Sequence, residues 1–168
     1  MPTIGVTITV PEPWHTTLQG HRSVWDPEGA KISPHITLLP PTDIEESYLP
    51  EVVRHLSLIA SSTAPFEVHL AGTETFRPVS PVVYVAVVGG ANMLEALASE
   101  VVRGPLGLEL TYPYHPHVTV AHDVREAALD QAVAELSDFE AVFTVAEIRL
   151  SVLAADGWAP TGVFSLAG

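Results

Sequence analysis

The chain has 168 residues, of which 47% are hydrophobic and 16% are charged, so it is too apolar for a disordered protein and can form the core of one domain. Its 7 basic and 20 acidic residues give a formal net charge of −13, which opposes binding to long nucleic acids because that binding depends on Lys and Arg. It has no cysteine, which excludes a disulfide, a thiolate metal site and a cysteine nucleophile.

The chain also lacks the sequence signals of secretion and of membrane insertion. Its first residues, Met1 to Ile4, have no basic start and no long apolar stretch. No segment approaches the roughly 18 consecutive apolar residues of a membrane-spanning helix. We therefore expect a soluble cytoplasmic protein with no membrane partner.

Five elements are predicted in the first half of the chain. In order, they are a strand over 3–10, a helix over 15–25, a strand over 36–39, a helix that starts near residue 48 and a strand over 66–70. Strict alternation of apolar and polar residues defines the first strand. Pro40 and Pro41 are expected to end the second strand, and Pro50 fits only the first turn of the helix that follows.

The second half is predicted to repeat this order and to add one strand at a sheet edge. Its elements are a strand over 82–88, a helix that ends at Gly104-Pro105, a strand over 117–121, a helix after residue 123, a long strand over 142–153 and a short strand over 163–166. The first of these strands is apolar at nearly every position, which indicates a central strand buried on both faces. Asn92 and Asp123 each precede a glutamate by three residues, the spacing of a capping box.

The two halves, approximately residues 1–78 and 79–168, indicate an internal duplication within one domain that spans residues 1–168. A duplication of this kind produces two similar lobes related by an approximate two-fold axis, with equivalent segments meeting at the centre. Each half contains a strand that opens with Pro-His-x-Thr. These two strands are the segments that we expect to meet.

The duplicated motif reads Pro34-His35-Ile36-Thr37-Leu38 in the first half and Pro116-His117-Val118-Thr119-Val120 in the second. Because side chains at i and i+2 share one face of a strand, each motif presents one imidazole and one hydroxyl together. Two imidazoles in one cleft suit phosphodiester chemistry, since one can take a proton from water while the other gives a proton to the leaving oxygen. The threonine hydroxyls can donate hydrogen bonds to phosphate oxygens, and this chemistry requires no metal.

A His-x-Thr sequence also arises by chance. His15-Thr16-Thr17 is a third copy, but it lacks the preceding proline and lies outside the duplicated order. As a simpler alternative, His35 and His117 are partly buried strand residues whose polar atoms are satisfied by local hydrogen bonds. The matched prolines, the apolar flanks and the duplicated context favour the catalytic interpretation.

In these two motifs the sequence resembles the 2H phosphoesterase superfamily, in its 2′-5′ RNA ligase-like or cyclic phosphodiesterase-like branch. The resemblance covers essentially the whole chain and implies an α+β, bilobal duplicated fold, with two antiparallel-rich sheets and flanking helices around a central cleft. It implies His35, Thr37, His117 and Thr119 as the catalytic residues of a monomeric enzyme that uses neither metal nor cofactor. Members of the family open or form 2′,3′-cyclic phosphates, hydrolyse 2′-5′ linkages or act on ADP-ribose cyclic phosphate.

Relatives that act on RNA line the cleft with basic residues, whereas this chain has only seven in all: Arg22, Lys31, Arg54, Arg77, Arg103, Arg125 and Arg149. This scarcity favours a small cyclic nucleotide or an RNA terminus over a large RNA. Arg77 is the best candidate phosphate ligand, because it lies in a Pro-rich segment just before the central strand, with a surface position as the alternative. For Arg22 we expect a solvated position near the end of the first helix.

Two residues just before the second motif are further candidates for substrate contact. Tyr114 offers a ring that can stack on a base, with packing in its Pro-rich loop as the alternative. His115 lies two residues before His117 and shares its face if the strand starts early. The three tryptophans, Trp14, Trp25 and Trp158, are expected to pack in the interior.

Together, these features predict a phosphodiesterase that hydrolyses a cyclic phosphate on a small nucleotide or an RNA end, with ligation as the reverse reaction of the same site. The alternative is a nucleotide-binding sensor that uses the cleft without turnover. Two matched proton-transfer groups argue against a pure sensor. Which histidine is the acid, which nucleobase is preferred and which regioisomer is formed all stay open.

Overall fold

A computed structural model describes residues 1–105, 107–108 and 113–168 of the chain. Its strands are β1 (Thr3–Thr9), β2 (His35–Asp43), β3 (Phe66–Thr75), β4 (Val82–Gly89), β5 (His117–His122), β6 (Glu140–Val145), β7 (Glu147–Ala154) and β8 (Gly157–Ser165). Its helices are α1 (Trp14–Trp25), α2 (Leu49–Ser61), α3 (Ala91–Arg103) and α4 (Glu126–Glu135), and short 3-10 turns lie at Gly29–Lys31 and Glu46–Tyr48.

The strands form one antiparallel, curled sheet in the order β6-β3-β4-β5-β2-β1-β7-β8. Apolar residues at alternate strand positions, such as Ile36 and Val118, are fully buried with the apolar stripes of the helices in one core. Since side chains alternate between the two faces of a strand, the histidine and threonine of each motif lie on the other face. The helices cover one face of the sheet, and the cleft lies on the opposite face.

The two halves join at the centre of the sheet, where β2 and β5 are neighbours with Ile36 opposite Val118. This confirms that the two motif strands meet. The expectation of two separate sheets is corrected, because this pairing joins the lobes into a single sheet. Outward from this pair, equivalent strands of the two halves follow in the same order, with β4 next to β5 and β1 next to β2. Beyond them each half is completed by a strand of the other, with β3 next to β4 and β7 next to β1.

The strand predicted over 142–153 is in fact two strands, β6 and β7, with only Ala146 between them. β6 pairs with β3 at one edge of the sheet, whereas β7 pairs with β1 in the other half. Because one residue spans less than 4 Å, this connection requires the sheet to curl until its β6 edge lies beside β7. The apolar run through Ala146 contains no glycine or proline that would have indicated the break.

The predicted end of β2 is wrong. The strand continues through Pro40 and Pro41 to Asp43. Past Ile36 it pairs with β1 on one side, and among the described residues it has no strand partner on the side of β5. Proline is tolerated where a strand has a free edge, because no N–H donor is needed there.

The predicted helix caps are also wrong. α3 begins after Gly90, whose φ of 85° lies in the left-handed region that favours glycine, so Asn92 is inside the first turn. α4 begins after Arg125, and its start has no side-chain cap from Asp123. None of the helices in the described ranges is long and apolar enough to cross a bilayer.

Candidate active site

The four motif side chains come together where β2 and β5 pair. With Ile36 opposite Val118, the antiparallel register sets His35 opposite Thr119 and Thr37 opposite His117. Because side chains alternate between the two faces of a strand, all four side chains share the face away from the core. Each of them is half-buried. The structure therefore brings two imidazoles and two hydroxyls into one cleft, and their catalytic roles stay a prediction.

Both histidines are anchored in the same way. Nδ1 of His35 lies 2.7 Å from the carbonyl oxygen of Ser33, and Nδ1 of His117 lies 2.7 Å from the carbonyl oxygen of His115. A carbonyl oxygen only accepts hydrogen bonds, so Nδ1 carries a proton in each ring and Nε2 is left for proton transfer. The local hydrogen bonds of the simpler alternative are thus present, but they use only one nitrogen of each ring.

The surroundings of both histidines favour the neutral form. Burial lowers the pKa of each below the ordinary value of 6.5, and the hydrogen bonds to Ser33 and His115 partly offset this effect. The charge of Arg22 lowers the pKa of His35 further, and the charges of His115 and His35 lower the pKa of His117. Protonation of one imidazole therefore disfavours protonation of the other, which suits a site that needs one acid and one base together.

An aromatic cluster surrounds His117. The Phe76 ring lies edge-on, with its centroid 5.0 Å from that of His117 and 5.3 Å from that of His115. The Tyr84 ring lies 5.2 and 5.4 Å from the same two rings, and its hydroxyl lies 3.3 Å from a carboxylate oxygen of Glu74. The His117 side of the cleft is therefore aromatic and carries an acidic group.

A cavity of about 510 Å³ opens on the His35 side. Its lining includes His35, Thr37, Thr7, Thr9, Lys31, Arg149, Ser151, Asp156 and Trp158. The cations in it are Lys31 and Arg149. Arg149 is not among the site residues predicted from the sequence, although its alternation with the core residues Ile148 and Leu150 indicates the cleft face. Within the described ranges, no three metal-ligating side chains lie close enough together to hold an ion.

Arg77, the predicted phosphate ligand, is engaged by other side chains. Its Nη1 donates to Glu126 at 2.7 Å and to Asp130 at 3.0 Å, both on α4, and its Nε donates to the Thr75 hydroxyl at 3.1 Å. Two carboxylates thus neutralise its charge, so we do not retain Arg77 as a phosphate ligand. Nothing in the sequence linked this segment to α4, because the contact joins residues about 50 positions apart.

The other two substrate candidates differ in position. The Tyr114 hydroxyl donates to the backbone carbonyl of Thr37 at 2.8 Å, its ring packs against the core, and burial raises its pKa. These contacts favour the packing alternative, in which Tyr114 ties the second half of the chain to the first motif. His115 is exposed, and its ring centroid lies 6.1 Å from that of His117, so it stays a candidate for substrate contact.

The expectation that Arg22 is a solvated helix residue is wrong. Its side chain is 11% exposed and pairs with Asp26, 6% exposed, at 2.9 Å. The two residues are four positions apart on one helical face, a spacing that allows an ion pair. The burial could not be inferred from the sequence, because it depends on the position of β5 beside the end of α1.

The end of α1 supports the backbone of β5. Arg22 donates to the carbonyl oxygen of Thr119 at 3.3 Å, and Asp26 accepts from the backbone N–H of His122 at 3.1 Å. Trp25, expected only to pack, also donates to the next carbonyl along β5, at 2.6 Å. β5 pairs with β2 at one position only among the described residues, and these side chains add hydrogen bonds to its backbone groups.

The fold and the paired histidines are those that the resemblance to the 2H phosphoesterases implies. The chain matches the model of the 2′-5′ RNA ligase superfamily over residues 9–157. A Bacillus cytotoxicus protein named "Putative phosphoesterase" is 33% identical over 124 residues, which is 74% of this chain and 72% of that protein. A Bacillus mycoides protein of the same name is 32% identical over the same shares. The chain belongs to the 2′-5′ RNA ligase superfamily, whose members are 2H phosphoesterases.

Solved structures match the fold over almost its whole length. Escherichia coli LigT in apo form has a TM-score of 0.77 and 19% identity, with 100% of this chain and 99% of that chain covered. LigT complexed with 3′-AMP has a TM-score of 0.73 and 22% identity, with both chains fully covered. TT0787 of Thermus thermophilus has a TM-score of 0.67 and 22% identity, with 99% and 98% covered. At these identities the likeness concerns the fold.

Proposed function

We propose that this phosphoesterase hydrolyses a cyclic phosphate on a small nucleotide or an RNA end, with His35 and His117 as its general acid and general base. The observation that carries the proposal is the matched anchoring of the two imidazoles through Nδ1 on neighbouring strands. Both motifs come from one chain, so the proposed site needs only a monomer. The complex of the relative LigT with 3′-AMP adds support for a nucleotide ligand.

The proposed reaction moves two protons. The neutral histidine accepts a proton at Nε2 from a water molecule whose oxygen forms a bond to phosphorus. The protonated histidine gives its Nε2 proton to the ribose oxygen as the phosphorus–oxygen bond of the ring breaks. The product is a phosphate monoester with one free ribose hydroxyl. The two histidines exchange protonation states in each turnover, and solvent restores them.

The two threonines supply hydrogen bonds to the phosphate in this proposal. Each hydroxyl lies opposite the other motif's histidine, so Thr37 is next to His117 and Thr119 is next to His35. Donors fixed in this way stabilise charge that develops on the phosphate oxygens in the transition state. Run in reverse, with a ribose hydroxyl as the nucleophile, the same steps form a bond instead of breaking one.

The test is phosphorus NMR of adenosine, guanosine, cytidine and uridine 2′,3′-cyclic phosphates with the native protein in the presence of a chelator. We expect the cyclic phosphate signal to be replaced by one monoester signal, whose position identifies the oxygen that leaves. His35→Ala and His117→Ala should each lower kcat by about 10²- to 10⁴-fold, because each removes one proton-transfer group.

His55→Ala is the matched control. Its imidazole also bonds a backbone carbonyl, that of Glu100 at 2.8 Å, but it lies between α2 and α3 on the helical face of the sheet. This variant should keep native activity. If the compounds bind without any turnover, the protein is instead a nucleotide sensor, and the hydrolase proposal fails.

A further inference from the structure

The cavity on the His35 side has more room than a cyclic phosphate needs. Its volume of about 510 Å³ is within the range of about 300–1,000 Å³ that is typical of sites for whole small-molecule ligands. The motif residues His35 and Thr37 lie on β2 at one end of this cavity. Arg149, Ser151 and Trp158 line its other end, beyond β1. A ligand with its cyclic phosphate at His35 therefore has room to extend towards β7.

The strand register sets Arg149 in line with the motif residues. Thr37 lies opposite Thr7 of β1, and Thr7 lies opposite Arg149 of β7. Two strand spacings, about 9–10 Å, separate the backbones of Thr37 and Arg149 on the same face of the sheet. An arginine side chain spans much of that distance, so its guanidinium can contact a substituent of the same small ligand.

The Arg149 guanidinium also has unused hydrogen-bonding capacity. Its Nε is buried without a hydrogen-bond partner among the described residues, and its ion pair with Glu147 is long, at 3.6 Å. In contrast, Arg22, Arg77 and Arg103 each form an ion pair with a carboxylate, with a nitrogen-to-oxygen distance of 3.0 Å or less. Because a buried donor without a partner is unfavourable, Arg149 gains hydrogen bonds if its guanidinium turns towards an anion in the cavity.

We propose that Arg149 binds a second phosphoryl group of the substrate and so determines specificity for cyclic phosphates that carry one. This inference rests on the proposed function of the cleft. A protein with a net charge of −13 repels anions at long range, so it needs a local cation to select them. A guanidinium suits this role because its planar fork pairs with two phosphate oxygens at once.

The first experiment compares two substrates that differ only in the second phosphate: adenosine 2′,3′-cyclic phosphate with and without a 5′-phosphate. For the native protein we expect kcat/KM to be about 10- to 100-fold higher for the phosphorylated compound, the range of a charge-assisted hydrogen bond. Arg149→Gln should bring this ratio close to one. Arg149→Lys keeps the charge but loses the fork, so its ratio should lie between the two.

Arg103→Gln is the matched control, because it removes an arginine that is 71% exposed on α3. It should keep the native ratio. A dinucleotide that ends in a cyclic phosphate carries its second phosphate as a diester. Preference for this compound or for the 5′-phosphate over the unsubstituted compound supports the proposal, and the stronger preference identifies an RNA end or a mononucleotide as the source.

A binding measurement separates this inference from the proposed function. Isothermal titration compares adenosine 2′,5′-bisphosphate with adenosine 2′-monophosphate, and the 3′ pair in parallel, for the native protein and Arg149→Gln. Tighter binding of the bisphosphates that is lost in the variant supports the second site, even if no cyclic phosphate turns over. If the protein turns over a cyclic phosphate but binds the bisphosphate and the monophosphate of each pair equally, the hydrolase proposal stands and the proposed role of Arg149 is wrong.

Discussion

The two sides of the cleft share a motif but differ in their walls. His117 is enclosed by the rings of Phe76 and Tyr84, whereas His35 opens on a cavity lined by hydroxyls and by Arg149. Both imidazoles are nevertheless anchored through Nδ1 at the same distance from a carbonyl oxygen. The difference teaches that the two motifs supply equivalent imidazoles, and we expect the strands beside them to decide how a substrate is oriented.

The two motif strands are also held differently. β2 has a long ladder with β1, from Thr9 opposite His35 to Thr3 opposite Asp43. β5 has a ladder with β4 on one side, but on the other it depends on side chains from the end of α1. The second motif is therefore held by one ladder together with a buried ion pair, and the first is held by its long ladder with β1.

The largest effect should come from the reacting groups, where the two sides are expected to be equivalent. The double variant His35→Ala/His117→Ala should lose about as much kcat as either single variant, about 10²- to 10⁴-fold, because the two imidazoles act in one step. Single-turnover rates measure this directly. If the effects of the two single variants multiply in the double variant, the imidazoles act independently and the proposed step is wrong.

The next effect concerns the support of β5. Asp26→Asn leaves the buried Arg22 without its charge partner and should lower the free energy of unfolding by about 3 kcal/mol or more. Urea denaturation measures the change. The control is Glu28→Gln, which breaks an exposed pair with Lys31 in the same region and should cost less than about 1 kcal/mol. Equal effects of the two variants would mean that α1 does not support β5 in this way.

A smaller effect is expected for the threonine hydroxyls. Thr37→Val and Thr119→Val should each lower kcat/KM by about 10- to 100-fold, since each removes one hydrogen bond to a charged phosphate. Thr→Ser at the same positions keeps the hydroxyl and should stay near the native value. A valine variant with native kcat/KM would exclude that threonine from the phosphate site.

The smallest effect, a shift in pH dependence, can tell the two histidines apart. The base must be neutral and the acid protonated, and burial lowers both pKa values, so kcat/KM should be greatest below about pH 6.5 and fall above it. His115→Gln removes a charge that lowers the pKa of His117. Only the limb that belongs to His117 should therefore move to higher pH.

The outcome of that variant assigns the roles. A shift of the alkaline limb identifies His117 as the acid, and a shift of the acidic limb identifies it as the base. If neither limb moves, the profile does not report the ionisation of His117. An optimum well above pH 6.5 would contradict the effect of burial on both imidazoles.

Most of the fold could be predicted from local patterns. Alternation identified β1, the continuous apolar run identified β4, and the repeated Pro-His-x-Thr identified the two strands that meet. The break at Ala146 could not be predicted, because it reflects a change of partner strand and not a change of residue type. Helix starts were misplaced because the left-handed backbone at Gly90 begins α3, where Asn92 had the spacing of a cap.

In the candidate site, the motif residues could be predicted from the sequence, but most of the residues around them could not. The motif residues follow from spacing along the chain, whereas the surroundings depend on contacts between distant segments. Arg149 reaches the cavity only because β7 pairs with β1, and Arg77 meets α4 across about 50 residues. Arg22 is buried because the end of α1 lies beside β5. Strand order and helix placement are the information that a single sequence lacked.

The one-residue connection at Ala146 has a consequence for how the molecule folds. β1 lies between β2 of its own half and β7, a strand that the chain supplies only after completing the second half. β3, in turn, is the last strand of the first half but pairs on both sides with strands of the second. Neither half can complete its own sheet, so the two lobes should unfold in a single cooperative transition and fail to fold as separate fragments.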